Sequence, residues 1–182
     1  MPSRTVIRAI SLWQPWATAW ALGLKRAETR HWSPRAKGAV YLGPLAIHAA
    51  KTERDPRTGA SLREWFERRM ESCLRSAQAF RAAGFHSWNS LSRGQVIGVC
   101  RLGAVRPSEE CSPDEIDRAW GNYSVGRSIW FPSDMLAFPE PASCVGRQGI
   151  FNWDVPDYVL ALRGIQQVLS APSDLTLADA PP

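Results

Sequence analysis

The chain is short of the residues that build a metal site or a disulfide framework. Its four cysteines, Cys73, Cys100, Cys111 and Cys144, show no C-x-x-C spacing, and only His31, His48 and His86 stand beside them. That spacing excludes the usual structural zinc patterns and points to thiols that stay reduced. No apolar run approaches the ~20 residues a membrane-spanning helix needs. The Trp- and Ala-rich stretch from Leu12 to Leu24 is broken by Gln14-Pro15 and ends in Gly-Leu-Lys, unlike a secretory leader. Repeats are absent as well. The expectation is a cytoplasmic protein with no metal, no cofactor and no membrane partner. The sequence sets no oligomeric state and is compatible with a monomer.

Acid is scarce at one end only. Residues 1–51 carry eight Lys and Arg against a single acid, Glu28, and residues 52–93 carry eight arginines against five acids. Residues 94–182 reverse this, with six arginines against eleven acids, so the net charge of +5 hides a basic half. Such a half suits a polyanionic partner whose attraction weakens with salt, although a solvated surface has the same composition. With 45% hydrophobic and 21% charged residues over 182 positions, the chain can bury a core and is not disordered. Nine tryptophans exceed what a core of this size needs, and some are expected to line a cleft.

The local patterns predict mostly strands. Thr5 to Ser11 is a β-branched strand, and Pro15 opens a short helix that Gly23 closes, burying Trp16, Ala19 and Trp20. Residues 27–32 read as a strand with Glu28 and Arg30 on one face and Thr29 on the other. Gly38 to Lys51 is a buried strand interrupted at Gly43-Pro44, and Asp55 to Gly59 is a loop. Ser61 and Glu64 form a capping box for a helix over 61–83, whose outer face mixes arginines with glutamates. Gly94 to Val105 is the central strand, and Ser112-Pro113-Asp114-Glu115 starts another short helix. Strands follow at Arg127 to Phe138 and Gly149 to Trp153, joined by a loop at Pro139-Glu140-Pro141. Tyr158 to Leu169 reads as a last helix before a frayed tail.

One early stretch gathers the chemistry. Ser11-Leu12-Trp13-Gln14-Pro15-Trp16-Ala17 is followed by Gly23-Leu24-Lys25-Arg26-Ala27-Glu28-Thr29-Arg30-His31-Trp32. Cations meet phosphate, a carboxylate reads polar edges, and indole rings stack on bases, so this mixture suits a nucleotide pocket. Lys25 and Arg30 would hold phosphate or a carbonyl, and Glu28 would accept from an amine or a ribose hydroxyl. As catalysts, Lys25 would act as base or carbonyl-polarising acid and Glu28 would activate water. The plainer reading makes Glu28 and Arg30 an ion pair bracing the fold. Trp13, Trp16 and Trp32 are the candidate stacking rings, with Trp16 and Trp20 also suited to the core. His48 is either a satisfied core histidine or a cleft residue, and Gln14 either caps the helix or reads a base.

The S-L-W-Q-P-W-A run, the G-x-K-x-x-E-x-R-x-W pattern, Gly38, Ile47-His48-Ala49, the G-V-C-R-L strand and Gly146-Arg147-Gln148-Gly149-Ile150-Phe151 before Trp153 resemble the ASCH domain, a member of the PUA-like superfamily. The resemblance covers about residues 5–155. It implies an α+β fold, a small PUA-like β-barrel or strongly bent, mixed, mostly antiparallel sheet with helices packed outside. The domain would occupy 1–157 with a helical insertion at about 52–93, leaving 158–182 as a C-terminal helix and tail. The resemblance implies RNA or nucleotide binding in a cleft holding Lys25, Glu28 and Arg30. Some family members resemble metal-independent amidohydrolases acting on N4-acylated cytosine nucleosides, and others are proposed ribonucleases. In the amidohydrolase-like subgroup the nucleophile is a threonine at the position of Glu28, so this chain departs from that pattern. A third expectation is a protein-interaction module using the helix over 61–83.

Overall fold

The computed structural model describes residues 4–36 and 38–170. The expected tail beyond Ser170 lies outside the described residues. The strands are β1 (Val6–Leu12), β2 (Glu28–Arg30), β3 (Arg35–Ala36), β4 (Ala39–Val40), β5 (Gly43–Ala49), β6 (Gln95–Pro107), β7 (Ser128–Ser143) and β8 (Ile150–Asp154). The helices are α1 (Trp16–Ala21), α2 (Leu62–Ser72), α3 (Leu74–Ala82), α4 (Glu115–Trp120), α5 (Asp157–Leu160) and α6 (Ile165–Ser170). Six strands form one sheet in the order β2-β7-β6-β5-β1-β8, and β3 pairs with β4 as a small separate ribbon. Only the β1–β5 pair is parallel; the other neighbours in the large sheet run antiparallel. This is the mixed, mostly antiparallel, strongly bent sheet with helices outside that the resemblance implies, curled into a half-barrel.

Both faces of the sheet are buried, and strand alternation assigns the residues. In β1, Ile7 and Ala9 join a cluster with Phe151, Trp153 and the apolar side of α5 and α6. Ile10 and Leu12 face the other way, toward Trp20 and Trp130. A third, aromatic cluster carries α2 and α3. Phe66 of α2 lies 5.5 Å from Phe80 of α3, and Phe80 stacks on Trp120 of α4 at 5.8 Å. Trp65 of α2 reaches Trp16 of α1 at 4.4 Å, tying α2 to the first helix. Each buried ring contributes roughly 1.5–3 kcal/mol, so this cluster anchors α2 and α3 firmly.

Several boundaries differ from the sequence reading. The helix over 61–83 is two helices, broken at Cys73, whose backbone is extended (φ −132°, ψ 93°). The break leaves Leu74 largely exposed while Phe66 and Phe80 meet the same cluster. Pro139 to Pro141 is no loop but part of β7. Val96 pairs with Ala142 and Gly98 with Ala137, so the prolines sit in a bulge where no ladder donor is required. The C-terminal helical stretch is divided at Gly164, which adopts φ 86°. Asp114, not Ser112, caps α4, with Asp117 completing a reciprocal capping box.

Candidate nucleotide cavity

Helix α1 ends in a Schellman turn that sets the start of the motif. Gly23, at φ 72°, donates to Trp20 O (2.9 Å), and Leu24 donates to Ala19 O (2.9 Å). The Lys25 amide also reaches Ala19 O at 3.1 Å, so the backbone leaves the helix in a fixed direction. Lys25 then points inward. The next residue, Arg26, points away and clamps α4, with Nε 3.0 Å from Asp117 Oδ1 and Nη2 2.9 Å from Asp114 Oδ2.

Strand β2 pairs with β7 and presents Glu28 and Arg30 on one face. Glu28 accepts from the Lys25 ammonium through Oε2, and its Oε1 lies 2.8 Å from Arg30 Nε. Thr29 faces the other way, where its hydroxyl accepts from the Asn122 amide at 3.0 Å. Burial pushes the Lys25 ammonium below its ordinary range. Attraction to Glu28 opposes that shift, and the nearby Arg30 and Arg127 add to it. Arg127, also lowered chiefly by burial, donates to Thr29 O at 3.3 Å and brings a further cation to the same side.

Lys25 and Glu28 are only 3% and 4% exposed. Arg30 is the member of the trio that meets open space. Its side chain retains 26% exposure, and Nη2 donates to Ser11 O at 3.2 Å. The charged trio is therefore a chain running outward, with its buried end holding its exposed end.

That end opens on a cavity of about 810 Å³. Among its walls are Trp13, Trp32, His48 and Lys51, together with the loop from Cys144 to Gly149. Trp32 packs edge-on against Trp130 at 4.9 Å, which fixes its ring, and the Arg30 guanidinium lies 6.0 Å from its centroid. Lys51 and Arg147 are exposed cations on the same cavity. A volume near 800 Å³ falls in the range of small-molecule sites, about 300–1,000 Å³.

His48 is buried at 2% exposure yet borders the cavity, so both readings of it apply. Its Nδ1 lies 3.0 Å from Ser11 Oγ and its Nε2 lies 3.3 Å from Cys144 O. Burial lowers its pKa, the hydrogen bond to the Cys144 carbonyl opposes this, and Lys51 adds to the lowering. The imidazole is thereby favoured in its neutral form.

Two sequence candidates are placed elsewhere. Gln14 is fully buried: its Nε2 donates to Thr18 Oγ1 (2.8 Å) and Ser92 O (2.7 Å), while its Oε1 accepts from Thr18 N (3.2 Å). From the position before the Pro15 cap, its side chain braces the first turn of α1 through Thr18. Trp16 belongs to the aromatic cluster rather than to the cavity. Conversely, Ser11, Lys51 and Arg147 line the cavity without having been singled out as site residues. The Gly146-Arg147-Gln148-Gly149 run was the available signal for one of them, because glycines flanking a cation often bring backbone close to a ligand.

The model of the ASCH domain matches residues 10–142. No functionally curated protein matches the chain in sequence. Among solved structures, an ASCH protein from Zymomonas mobilis is 14% identical, with 84% of this chain and 90% of that one aligned at a TM-score of 0.43. A single-substitution variant of that protein is 13% identical, covering 85% and 96% of the two chains at 0.44.

Proposed function

This chain belongs to the ASCH domain family, and from that premise we propose that its cavity binds a nucleotide, free or exposed in single-stranded RNA. The observation that carries the reading is the pairing of indole and cation on one concave wall. Trp13 and Trp32 stand on that wall, while Arg30, Lys51 and Arg147 bring positive charge around the same opening. Stacking supplies sequence-tolerant affinity, and the cations supply attraction to phosphate. Arg30 is the best-positioned phosphate ligand. Glu28 fixes its Nε side, so its guanidinium loses less freedom on binding than a free surface arginine would.

Lys25 and Glu28 act in this reading by aiming Arg30. A hydrolase using those two as base and water-activator would need both to reach substrate, and their burial gives that version less support. The basic face of α2 offers little to a protein partner either. Arg63 pairs with Glu67 at 2.7 Å and Arg68 with Glu64 at 3.8 Å, the pattern of a solvated helix surface.

The test is titration of a single-stranded RNA oligomer, and separately of nucleoside monophosphates, into the protein with tryptophan fluorescence as the readout. Binding that quenches emission and falls with Lys51→Glu and Arg147→Glu supports the reading. Unchanged affinity in that double variant removes it.

A further inference from the structure

We propose that Ser11 is a nucleophile with His48 as its general base, and that the cavity accepts an acyl ester whose leaving group carries a phosphate or carboxylate. This goes beyond nucleotide binding and does not depend on it.

The two residues are exact partners in the parallel β1–β5 ladder, so the backbone itself sets their approach. The hydrogen-bond pattern fixes the tautomer. A carbonyl can only accept, so the contact between Nε2 and Cys144 O places the imidazole proton on Nε2. Nδ1 is left as an acceptor, 3.0 Å from the Ser11 hydroxyl. A base oriented by a second hydrogen bond and touching a hydroxyl is the arrangement nucleophilic catalysis requires. Here a main-chain carbonyl takes the orienting role that a carboxylate often fills. Burial leaves His48 unprotonated at rest; it also makes the imidazolium costlier, and the hydrogen bond to the Cys144 carbonyl offsets part of that cost.

Three surrounding features fit the step. Ser11 and His48 both line the cavity, so the pair is not sealed in the core. The Arg30 guanidinium, anchored on Glu28, donates to the Ser11 carbonyl and stands beside the nucleophile, where it would face a developing oxyanion. Gly146 lies directly over the pair. A Cβ there would overlap the His48 ring and come within 2.9 Å of Ser11 Oγ, so only glycine lets the loop backbone approach so closely. Lys51 and Arg147 border the same space and would hold an anionic leaving group.

In the reaction, Ser11 Oγ forms a bond to the acyl carbon as its proton passes to His48 Nδ1. The bond from that carbon to the leaving oxygen breaks, and the departing alcohol takes the proton from Nδ1. Water then attacks the acyl-serine, giving one proton to Nδ1, which returns it to Ser11 Oγ as the acid leaves.

The experiment is reaction of the intact protein with diisopropyl fluorophosphate, followed by peptide mass mapping. Oγ then bonds to phosphorus as fluoride leaves. The expected result is one adduct on Ser11, formed at least tenfold faster than on any other serine. His48→Gln should slow it at least tenfold while circular dichroism stays unchanged. As a second measurement on the unaltered protein, acetylsalicylate, whose leaving group bears a carboxylate, should acetylate Ser11, and Lys51→Ala with Arg147→Ala should weaken this. No adduct on Ser11, or adducts spread evenly over surface serines, overturns the proposal. So does equal labelling in a folded His48→Gln variant.

Discussion

Glu28 stands between Lys25 and Arg30, with Oε1 2.8 Å from Arg30 Nε and Oε2 on the Lys25 ammonium. One buried carboxylate thus answers two cations, so substitutions at Glu28 and at Lys25 are not equivalent. Glu28→Gln would strip buried Lys25 of its counterion beside Arg30 and Arg127, and removing one partner of a buried pair costs about 3–5 kcal/mol. Lys25→Met would leave the Glu28–Arg30 pair intact and should cost distinctly less. Urea unfolding of both variants checks the order. Equal losses would show that Glu28 does not organise the trio.

The tryptophans should divide by location. Trp32→Ala removes a cavity wall, and a lost stacking partner is worth about 1–3 kcal/mol of binding. RNA affinity of the folded fraction should therefore drop by roughly 5- to 150-fold, with some loss of stability from the broken Trp130 contact. Trp16→Ala removes a ring 4.4 Å from Trp65 and should lower stability while sparing the affinity of the folded fraction. Paired melting and binding titrations on the two variants distinguish them.

Salt should report on the cavity rim. If Lys51 and Arg147 each meet a phosphate of single-stranded RNA, each contact contributes about 0.7 to the slope of log affinity against log salt. Replacing both by alanine should flatten that slope by about 1.4. A slope identical to that of the unaltered protein would assign the electrostatic attraction to other surfaces.

Stability should fall on mild acidification through His48. Its pKa in the folded protein lies below the ordinary 6.5, so the unfolded chain takes up the proton first as pH drops. The contribution is fully present above about pH 6.5 and is lost as pH falls through the folded value. The groups around the ring are Ser11, the Cys144 carbonyl, Lys51 and Phe151, with no carboxylate among these neighbours to offset the effect. Melting temperatures from pH 8 to pH 5 should decline less steeply in His48→Gln than in the unaltered chain.

Local chemistry made the motif readable from residue order. Glu28 and Arg30 share a face because strands alternate, and Gly23 ends α1 because it alone accepts the left-handed turn there without strain. What residue order did not reveal was depth. Lys25 and Glu28 look like surface groups until β2 is laid against β7 and both are covered. The cavity was also hidden, since it joins the end of β1, the end of β5 and the loop after β7. Ser11 and His48 are 37 positions apart in sequence and become neighbours only through strand pairing. The break at Cys73 had no glycine or proline to announce it, whereas Gly164 was a legible stop inside the C-terminal stretch. The prolines of β7 misled because bulges are a tertiary event.

The parallel pairing of β1 with β5 makes the chain between them one crossover, which lends β2 to the far edge of the sheet before it returns. Its two ends are held by ladder register, whatever lies between them. Exchanging that crossover would keep the Ser11–His48 alignment but replace the charged trio, and with it the cation beside the reactive pair. Grafting the segment between homologues would show how far the pair depends on it.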